Sequence, residues 1–219
     1  MILYMATGNL NKKIEMANIC KDYTIYIPSD KNINFNPIEN GKTFSENSLI
    51  KSKALWNIVH KPVIADDSGL CVDILEGIPG IYSARYAGIE HPQGFPGSHD
   101  IPQDEQNRML LAHTDKVLND KYGSALSSMT KNERMALRSC YYVCAMTVYL
   151  EKDTFYCVQE IFQGQLIENI HEQRGDGGFG YDPIIYLPEY GKTIAELSEN
   201  EKNKISHRGK ASRKILKLL

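Results

Sequence analysis

Short apolar runs alternate with helix-like segments through the first third of this 219-residue chain. Runs typical of buried strands cover Ile2 to Ala6, Tyr23 to Pro28 and Pro62 to Ala65. Between them, two segments have the residue spacing of helices, Asn11 to about Cys20 and Thr43 to Val59. In the first helix Ile14, Ala17 and Ile19 are expected to face inward, and in the second Thr43 to Glu46 predicts a capping box. The alternation therefore predicts a chain that mixes strands and helices.

The remaining segments are longer and are separated by glycine-rich and proline-rich loops. His91 to Pro102, dense in Pro, Gly and His, is predicted to be an exposed surface loop that does not contribute to the core. Helices are expected at Gln103 to His113 and Lys116 to Met135, and strands at Leu137 to Leu150, Thr154 to Gln163 and Ile184 to Leu187. The chain is predicted to end in a helix that follows a second capping box, Ser198 to Glu201, and carries an inward stripe of Ala211, Ile215 and Leu218.

The composition is that of an ordinary globular protein, with 42% hydrophobic residues, 24% charged residues and a formal net charge of -2. We expect one domain over residues 1–219. Without a basic excess, a nucleic-acid partner is not expected. Because there is no apolar run of membrane-spanning length and no signal-peptide pattern, we expect no membrane partner and a cytoplasmic location.

The five cysteines do not form a CxxC pair, and their number is odd. A disulfide framework is therefore not expected. Cys140 and Cys144 lie on one face of a predicted strand and are interpreted as small core residues, with a metal or redox role as the alternative.

Two adjacent carboxylates, Asp66 and Asp67, follow the strand that is predicted to end at Ala65. They precede Ser68 and Gly69, which suggest a turn. We expect the strand to present both side chains at the edge of a sheet, where a divalent cation or a positioned water relieves their mutual repulsion. This pattern indicates metal-dependent chemistry, and a polar loop without chemistry is the alternative.

The segment Thr7, Gly8, Asn9, Leu10, Asn11 and Lys12 lies where the first strand turns into the first helix. Free backbone N–H groups, a hydroxyl and one cation would meet here, as in a phosphate site. It is not a Walker loop, and a glycine turn that only caps the helix is the alternative.

The segment Gly175 to Pro183 combines glycines with two aromatic side chains, Phe179 and Tyr181. Glycines allow close backbone approach, and an aromatic ring here could stack on a base. A glycine-rich turn with two core aromatics would have the same sequence.

Cationic residues surround the start of the last predicted helix. His207 and Arg208, with Lys202 upstream, can donate hydrogen bonds to the carbonyl and ring nitrogen acceptors of a purine. A solvated charged face is the alternative.

Taken in order, these motifs resemble the inosine/xanthosine triphosphate pyrophosphatase family, over nearly the whole chain. The matching segments are ATGNLNK (6–12), TFSENSLIKSKA (43–54), ADDSGLCVD (65–73), PGIYSARYAG (79–88), GGFGYDP (177–183) and KTIAELSENEKNKISHRGKA (192–211). The resemblance implies an α/β fold with a long curved mixed β-sheet, flanking helices and two lobes around a nucleotide-binding cleft. It also implies a homodimer.

The resemblance further implies a role for each matching residue. Asp67 is implied as catalytic base and metal ligand, with Glu39 as the second ligand of Mg2+, although Asn40 stands where the family often has Thr. The triphosphate is assigned to Thr7, Gly8, Asn9, Leu10, Asn11, Lys12 and Lys51, with Ser68 beside the substrate. Phe179 is implied to stack on the base, Asp182 to help close the pocket, and Lys202, His207 and Arg208 to read the purine edge. Gly180 and Tyr181 are further substrate-binding residues. Arg85 has two alternatives, reaching the substrate or anchoring its loop.

The implied reaction is hydrolysis of ITP, dITP or XTP to the nucleoside monophosphate and pyrophosphate. The chain departs from the family pattern in its extra length between Gly88 and Leu137. Two alternatives remain: a related pyrophosphatase for pyrimidine or modified-base nucleotides, and a non-catalytic nucleotide sensor. Because Asp66, Asp67, Glu39 and Lys12 are all present, the sequence favours an enzyme over a sensor.

Overall fold

The computed structural model describes residues 2–86 and 101–219. The strands in these ranges are β1 Ile2–Met5, β2 Thr24–Tyr26, β3 Val63–Val72, β4 Ser139–Glu151, β5 Thr154–Leu166, β6 Ile185–Leu187 and β7 Lys192–Thr193. The α-helices are α1 Leu10–Ile19, α2 Phe44–Val59, α3 Gln103–Tyr122, α4 Ala125–Ser128, α5 Lys131–Ala136, α6 Glu199–Ile205 and α7 His207–Ile215. None of the helices in these ranges is long and apolar enough to cross a bilayer.

The strands form one seven-stranded sheet in the order β2-β1-β3-β4-β5-β6-β7. β1 pairs with β2 and with β3 in parallel, whereas β6 pairs antiparallel with β5 and with β7. The sheet is therefore mixed and carries flanking helices, which confirms the expected α/β class. Its curvature and the expected lobes around a cleft stay predictions, as does the single domain over 1–219.

The chain forms two compact units, which are described one by one. The first contains the chain up to Ser68 together with Val143–Ile161 and Asn203–Leu219. The second contains the described part of Gly69–Tyr142 together with Phe162–Lys202.

Both faces of the sheet in the first unit are covered by helices. On one face Leu3 and Met5 of β1 pack with Met16 of α1 and with Ala211 and Ile215 of α7. On the other face Ala6, Val63 and Ala65 pack with Leu55 of α2. Because the side chains of a strand alternate between the two faces of a sheet, a single strand contributes side chains to the cores on both faces.

The inward face predicted for α1 is correct for Ile19, which packs partly buried against the core that contains Met16, but wrong for Ile14 and Ala17. Ile14 is 52% exposed and Ala17 is exposed, whereas Met16 and Cys20, one helical turn apart, are buried. The stripe predicted for the last helix is correct for Ala211 and Ile215 but wrong for Leu218, which is 43% exposed. Both errors have the same cause. The spacing of apolar residues does not show how much of each helix the sheet covers, and that coverage decides which positions are buried.

The predicted end of β3 is also wrong. The strand does not stop before the carboxylates but continues through Asp66, Asp67, Ser68 and Gly69 to Val72. Ionised side chains are tolerated within a buried strand only where charged partners meet them. These partners are described below.

Other predictions concern helix starts, cysteines and the second unit. The capping boxes at Thr43 and Ser198 are confirmed. All five cysteines are free, and Cys140 and Cys144 are buried, as expected for core residues. The predicted break near His113 is wrong, because α3 continues to Tyr122. The predicted surface loop His91 to Pro102 lies outside the described residues except for its last two positions.

Candidate active site

Asp66 and Asp67 point to opposite faces of β3. Ile64 belongs to the core beneath α1 and α7, whereas Val63 and Ala65 belong to the core beneath α2. The period of two along a strand therefore directs Asp66 toward α1 and α7, and Asp67 toward α2. Each carboxylate therefore meets side-chain cations of its own, Lys51 for Asp67 and Lys12 with Arg208 for Asp66. Relief of their repulsion by a divalent cation or a positioned water stays a prediction.

Asp67 shares an ammonium group with Glu39. Lys51 Nζ, from the buried side of α2, donates to Asp67 Oδ1 at 2.7 Å and to Glu39 Oε2 at 2.7 Å. Lys51 and Asp67 are each 8% exposed, and Glu39 lies in an exposed segment. Three residues that the resemblance placed together, one for phosphate and two for metal, are thus brought together by the fold.

Asn47 is a residue of this cluster to which the sequence analysis assigned no role. Its side chain is buried, its Nδ2 donates to Asp67 Oδ2 at 3.4 Å, and its Oδ1 accepts the Gly41 N–H at 2.8 Å. A Cβ at position 41 would lie 2.6 Å from Asn47 Oδ1, so this approach requires glycine. Asn47 lies in the quoted segment 43–54, but only its burial and contacts distinguish it there.

Burial sets the protonation tendency of this cluster. Burial raises the pKa of Asp67 above its usual range, although the Lys51 charge opposes the shift. Burial disfavours the Lys51 ammonium, but the charges of Asp67 and Glu39 prevail and raise its pKa. A carboxylate with a raised pKa is a better proton acceptor, and Lys51 remains a cation.

Asp66 is fully buried within a second cluster on the other face. Its Oδ2 accepts from Arg208 Nε at 3.1 Å and Nη2 at 3.0 Å, and lies 3.0 Å from Lys12 Nζ. Burial by itself would raise the pKa of Asp66, but the charges of Lys12 and Arg208 hold it well below its usual range. Arg208 also donates to Ser68 Oγ at 2.9 Å and to Glu15.

The turn from Thr7 to Lys12 is exposed at Gly8, Asn9, Leu10 and Asn11. The expectation of free backbone donors is wrong for four of them. Asn9 Oδ1 accepts the N–H groups of Asn11 and Lys12 at 2.9 and 3.3 Å, Thr7 Oγ1 accepts the Asn9 N–H at 3.1 Å, and the Met5 carbonyl accepts the Thr7 N–H at 2.9 Å. Asn9 is therefore the N-cap of α1. Capping is done by Asn9 and not by the glycine turn.

The second unit contains the other predicted base contacts, gathered around Asp182. Asp182 is buried, and its Oδ2 accepts from Lys202 Nζ at 2.8 Å and from the Phe179 N–H at 2.8 Å. Lys202 Nζ lies 4.7 Å from the centroid of the Phe179 ring. Gly178 has φ +72°, and a Cβ there would lie 2.1 Å from Asp182 Oδ2. The carboxylate thus holds both the aromatic ring and the cation.

The remaining predicted base contacts are placed differently. Tyr181 is 3% exposed and its hydroxyl donates to the Ser83 carbonyl at 2.9 Å, so its ring is a core aromatic. The Gly180 carbonyl accepts from Asn107 Nδ2 at 3.5 Å. His207 is buried at the start of α7 in the first unit. Arg85 lies with its guanidinium 5.3 Å from the Tyr82 ring, which favours an anchoring role.

The donor chemistry around Asp67 fits a magnesium ion. Within residues 2–86 and 101–219, no group of three or more His, Cys, Asp or Glu side chains forms a metal cage. Magnesium in phosphate-processing sites needs only one or two carboxylates and takes its other ligands from water and phosphate. Glu39 and Asp67 are two carboxylates close enough to share one cation, so they meet that requirement.

A cavity of about 800 Å³ lies in the second unit, away from all the predicted residues. It is lined by Lys131, Met135, Gln165, His171, Arg174 and Tyr186, among others. Its volume alone does not indicate chemistry, and none of the residues predicted for the site lines it.

The mixed sheet with flanking helices, and a central strand that carries ion pairs on both faces, define an α/β protein with a charged site on β3. The chain belongs to the Ham1 family, whose sequence model matches residues 3–218. This confirms the resemblance identified from the motifs.

Curated relatives and solved structures agree with this membership. The chain is 44% identical over 211 residues to the dITP/XTP pyrophosphatase of Treponema denticola, covering 96% of this chain and 94% of that protein. It is 37% identical to the dITP/XTP pyrophosphatase of Leptospira interrogans, covering 99% and 96%. Its fold is similar to that of the Staphylococcus aureus Ham1 protein, with TM-score 0.71, 32% identity and coverage of 100% and 97%. A HAM1 protein from Coxiella burnetii gives TM-score 0.78 at 26% identity, with coverage of 100% and 98%.

Proposed function

We propose that this chain is a nucleoside-triphosphate pyrophosphatase that hydrolyses ITP, dITP and XTP to the nucleoside monophosphate and pyrophosphate. The observation that carries the proposal is a cluster of three side chains. They are Asp67 of β3, Lys51 of α2 and Glu39 of the segment that precedes α2. Family membership and the activity named for the relatives at 44% and 37% identity support the same reaction.

In the proposed reaction Asp67 is the general base. It takes a proton from the water that attacks phosphorus, the bond from phosphorus to the bridging oxygen breaks, and pyrophosphate leaves with the electron pair. Its raised pKa and its burial support this role, since a base is more effective when its pKa approaches the working pH. Asn47 orients the carboxylate through Oδ2, while Lys51 holds Oδ1.

Glu39 and Asp67 are the residues that would hold Mg2+. A bound magnesium ion would supply Lewis-acid stabilisation of the charge that develops on the phosphate oxygens. Lys51 lies between the same two carboxylates, and its positive charge is placed to neutralise part of the charge of the triphosphate. Lys12, with the exposed turn Thr7 to Asn11, is proposed to bind the remaining phosphate charge.

The purine base of the nucleotide is proposed to stack on the ring of Phe179. Asp182 holds the loop that carries this ring. Lys202 and His207 are proposed to donate to the purine edge. A 6-oxo group accepts such hydrogen bonds, whereas the 6-amino group of adenine would face donors with a donor. Arg208 was expected to act with them, but Asp66, Glu15 and Ser68 already receive its donors. These contacts support a role for Arg208 in anchoring the last helix.

A nucleotide panel tests the proposal directly. Initial rates are measured for ITP, dITP, XTP, ATP, GTP, CTP and UTP, with pyrophosphate and orthophosphate quantified separately. We expect ITP, dITP and XTP to be hydrolysed fastest and pyrophosphate to be released as a unit. Preference for a pyrimidine nucleotide would support the related pyrophosphatase instead, and nucleotide binding without hydrolysis would support a sensor. Release of orthophosphate before pyrophosphate would contradict the reaction.

The assembly and the location are proposed as a homodimer in the cytoplasm. The homodimer is what the resemblance implies, and the location is the expectation stated in the sequence analysis. Sedimentation equilibrium of the purified chain measures the assembly, and a mass near twice 24.8 kDa is expected. A mass of one chain at micromolar concentration would contradict the dimer without affecting the proposed reaction.

A further inference from the structure

The buried carboxylate of Asp66 connects the first helix of the chain to the last. Lys12 from α1 and Arg208 from α7 both reach its Oδ2, at 3.0 Å for the ammonium and at 3.1 and 3.0 Å for the guanidinium. All of these contacts lie in the first unit. The two cations are 196 residues apart in sequence, so only the tertiary structure brings them to one oxygen.

Arg208 is held from three sides. Besides Asp66 it contacts Glu15 and Ser68, and its side chain is only 2% exposed. Two donors of its guanidinium, Nε and Nη2, converge on the same oxygen, Oδ2 of Asp66, as charge-assisted hydrogen bonds. Asp66 is therefore a rigid acceptor, anchored by a side chain that solvent barely reaches.

Lys12 differs from Arg208 in its exposure. Its side chain is 15% exposed, whereas that of Asp66 is fully buried. A lysine ammonium has three donors, so a contact with Asp66 leaves two directions for a second anion. It follows the exposed turn Gly8 to Asn11, which lies open to a ligand.

We propose that Asp66 is a positioning residue that holds the Lys12 ammonium in place for the triphosphate, anchored in turn by Arg208. The inference rests on the proposed function. It divides the work of the Asp-Asp pair, because β3 turns Asp67 toward Lys51 and Glu39, and Asp66 toward Lys12 and Arg208. An ammonium that is already placed loses less freedom when the phosphate binds, which increases affinity.

A double-mutant cycle tests this role through binding, without turnover. The dissociation constant of the α,β-imido analogue of ITP, which resists cleavage between the α and β phosphates, is measured by calorimetry for wild type, Lys12→Gln, Asp66→Asn and the double variant. Lys12→Gln should weaken binding about tenfold or more in the wild-type background, the scale of one charge-assisted hydrogen bond. In the Asp66→Asn background the same change should matter less than about threefold, because Lys12 is no longer positioned.

A structural role for Asp66 alone would lower the melting temperature and leave the effect of Lys12→Gln undiminished, and that result would overturn the proposal. Asp30→Asn is the matched control, since Asp30, which lies outside α1, pairs at 2.7 Å with Lys13, the neighbour of Lys12 on α1. It should leave the dissociation constant unchanged. If wild type itself does not bind the analogue, the proposed function fails, which is a different outcome.

The cycle has a second form in case Asp66→Asn does not fold. The double variant Asp66→Asn/Arg208→Met removes the buried guanidinium together with the carboxylate charge of Asp66. Removing both members of a buried ion pair costs less stability than removing one member. Lys12→Gln is then compared in Arg208→Met and in Asp66→Asn/Arg208→Met. A smaller effect in the background that lacks the carboxylate supports the proposal, and equal effects refute it.

Discussion

The two neighbouring aspartates should respond in opposite ways to the same substitution. Asp66→Asn and Asp67→Asn each remove one carboxylate charge and keep the shape of the side chain. We expect Asp66→Asn to reduce mainly the stability of the fold and Asp67→Asn to reduce mainly turnover. The difference follows from the opposite pKa shifts of the two residues, lowered for Asp66 and raised for Asp67.

The magnitude for Asp66 comes from its partners. Its ionised form is favoured in the folded protein, and its loss leaves Lys12 and the buried Arg208 without this acceptor. Breaking a buried ion pair at one partner costs about 3–5 kcal/mol, and Glu15, which still pairs with Arg208, places the loss near the lower end. For a chain of this size that corresponds to a melting temperature lower by roughly 6–12 °C.

For Asp67 the stability change should be small. Burial penalises its charge, so the neutral amide avoids that penalty, and Lys51 keeps Glu39 as a partner. We expect a melting temperature within about 4 °C of wild type, which is about 1 kcal/mol. Turnover should fall roughly a hundredfold or more, because the base is lost.

Calorimetric melting curves and pyrophosphate release from ITP at saturating Mg2+ are measured on the same preparations. The reasoning fails if Asp67→Asn lowers the melting temperature as much as Asp66→Asn does. It also fails if Asp67→Asn retains near-normal turnover.

Two further outcomes concern the second unit. Gly178→Ala should raise KM for ITP more than about tenfold, because its Cβ would displace Asp182 and with it the Phe179 loop. Gly191→Ala is the control: Gly191 has φ +63° and open space around it, so this substitution should cost only backbone strain of about 1–3 kcal/mol. An equal KM for both variants would contradict this. Burial and the Lys116 charge lower the pKa of His113 in the folded protein. The His113 imidazole therefore binds a proton more readily in the unfolded chain, and the stability of the fold should decrease as pH drops from about 6.5 toward 5. Melting temperatures between pH 7.5 and 5 measure the slope, and His113→Gln should flatten it; an unchanged slope in that variant would assign it to other groups.

Local patterns identified most of the secondary structure and failed where burial decides. The capping boxes at Thr43 and Ser198 were predictable, because a cap depends only on residues three positions apart. The end of β3 was not, because Asp66 and Asp67 within a strand are stable only with distant partners. Ile14 was misplaced in the same way, since the sheet covers the face of α1 that carries Met16 and Cys20.

For the candidate site, the sequence by itself determined which residues to expect in the charged cluster on β3. The ordered motifs identified the family and singled out Asp67, Glu39 and Lys51. In the fold the Lys51 ammonium lies 2.7 Å from a carboxylate oxygen of each of the other two. It did not distinguish Asn47 from its polar neighbours in α2, because only its burial and its contact with Asp67 mark it.

Only the tertiary structure decided what each member of the Asp-Asp pair contacts. Adjacent in sequence, they are separated by the alternation of side chains along β3, one toward α1 and α7 and the other toward α2. The physical reason is that ion pairs form between groups close in space, and the cations that meet Asp66 come from the two ends of the chain. No local pattern encodes that meeting, because it exists only once both helices pack on the same face of the sheet.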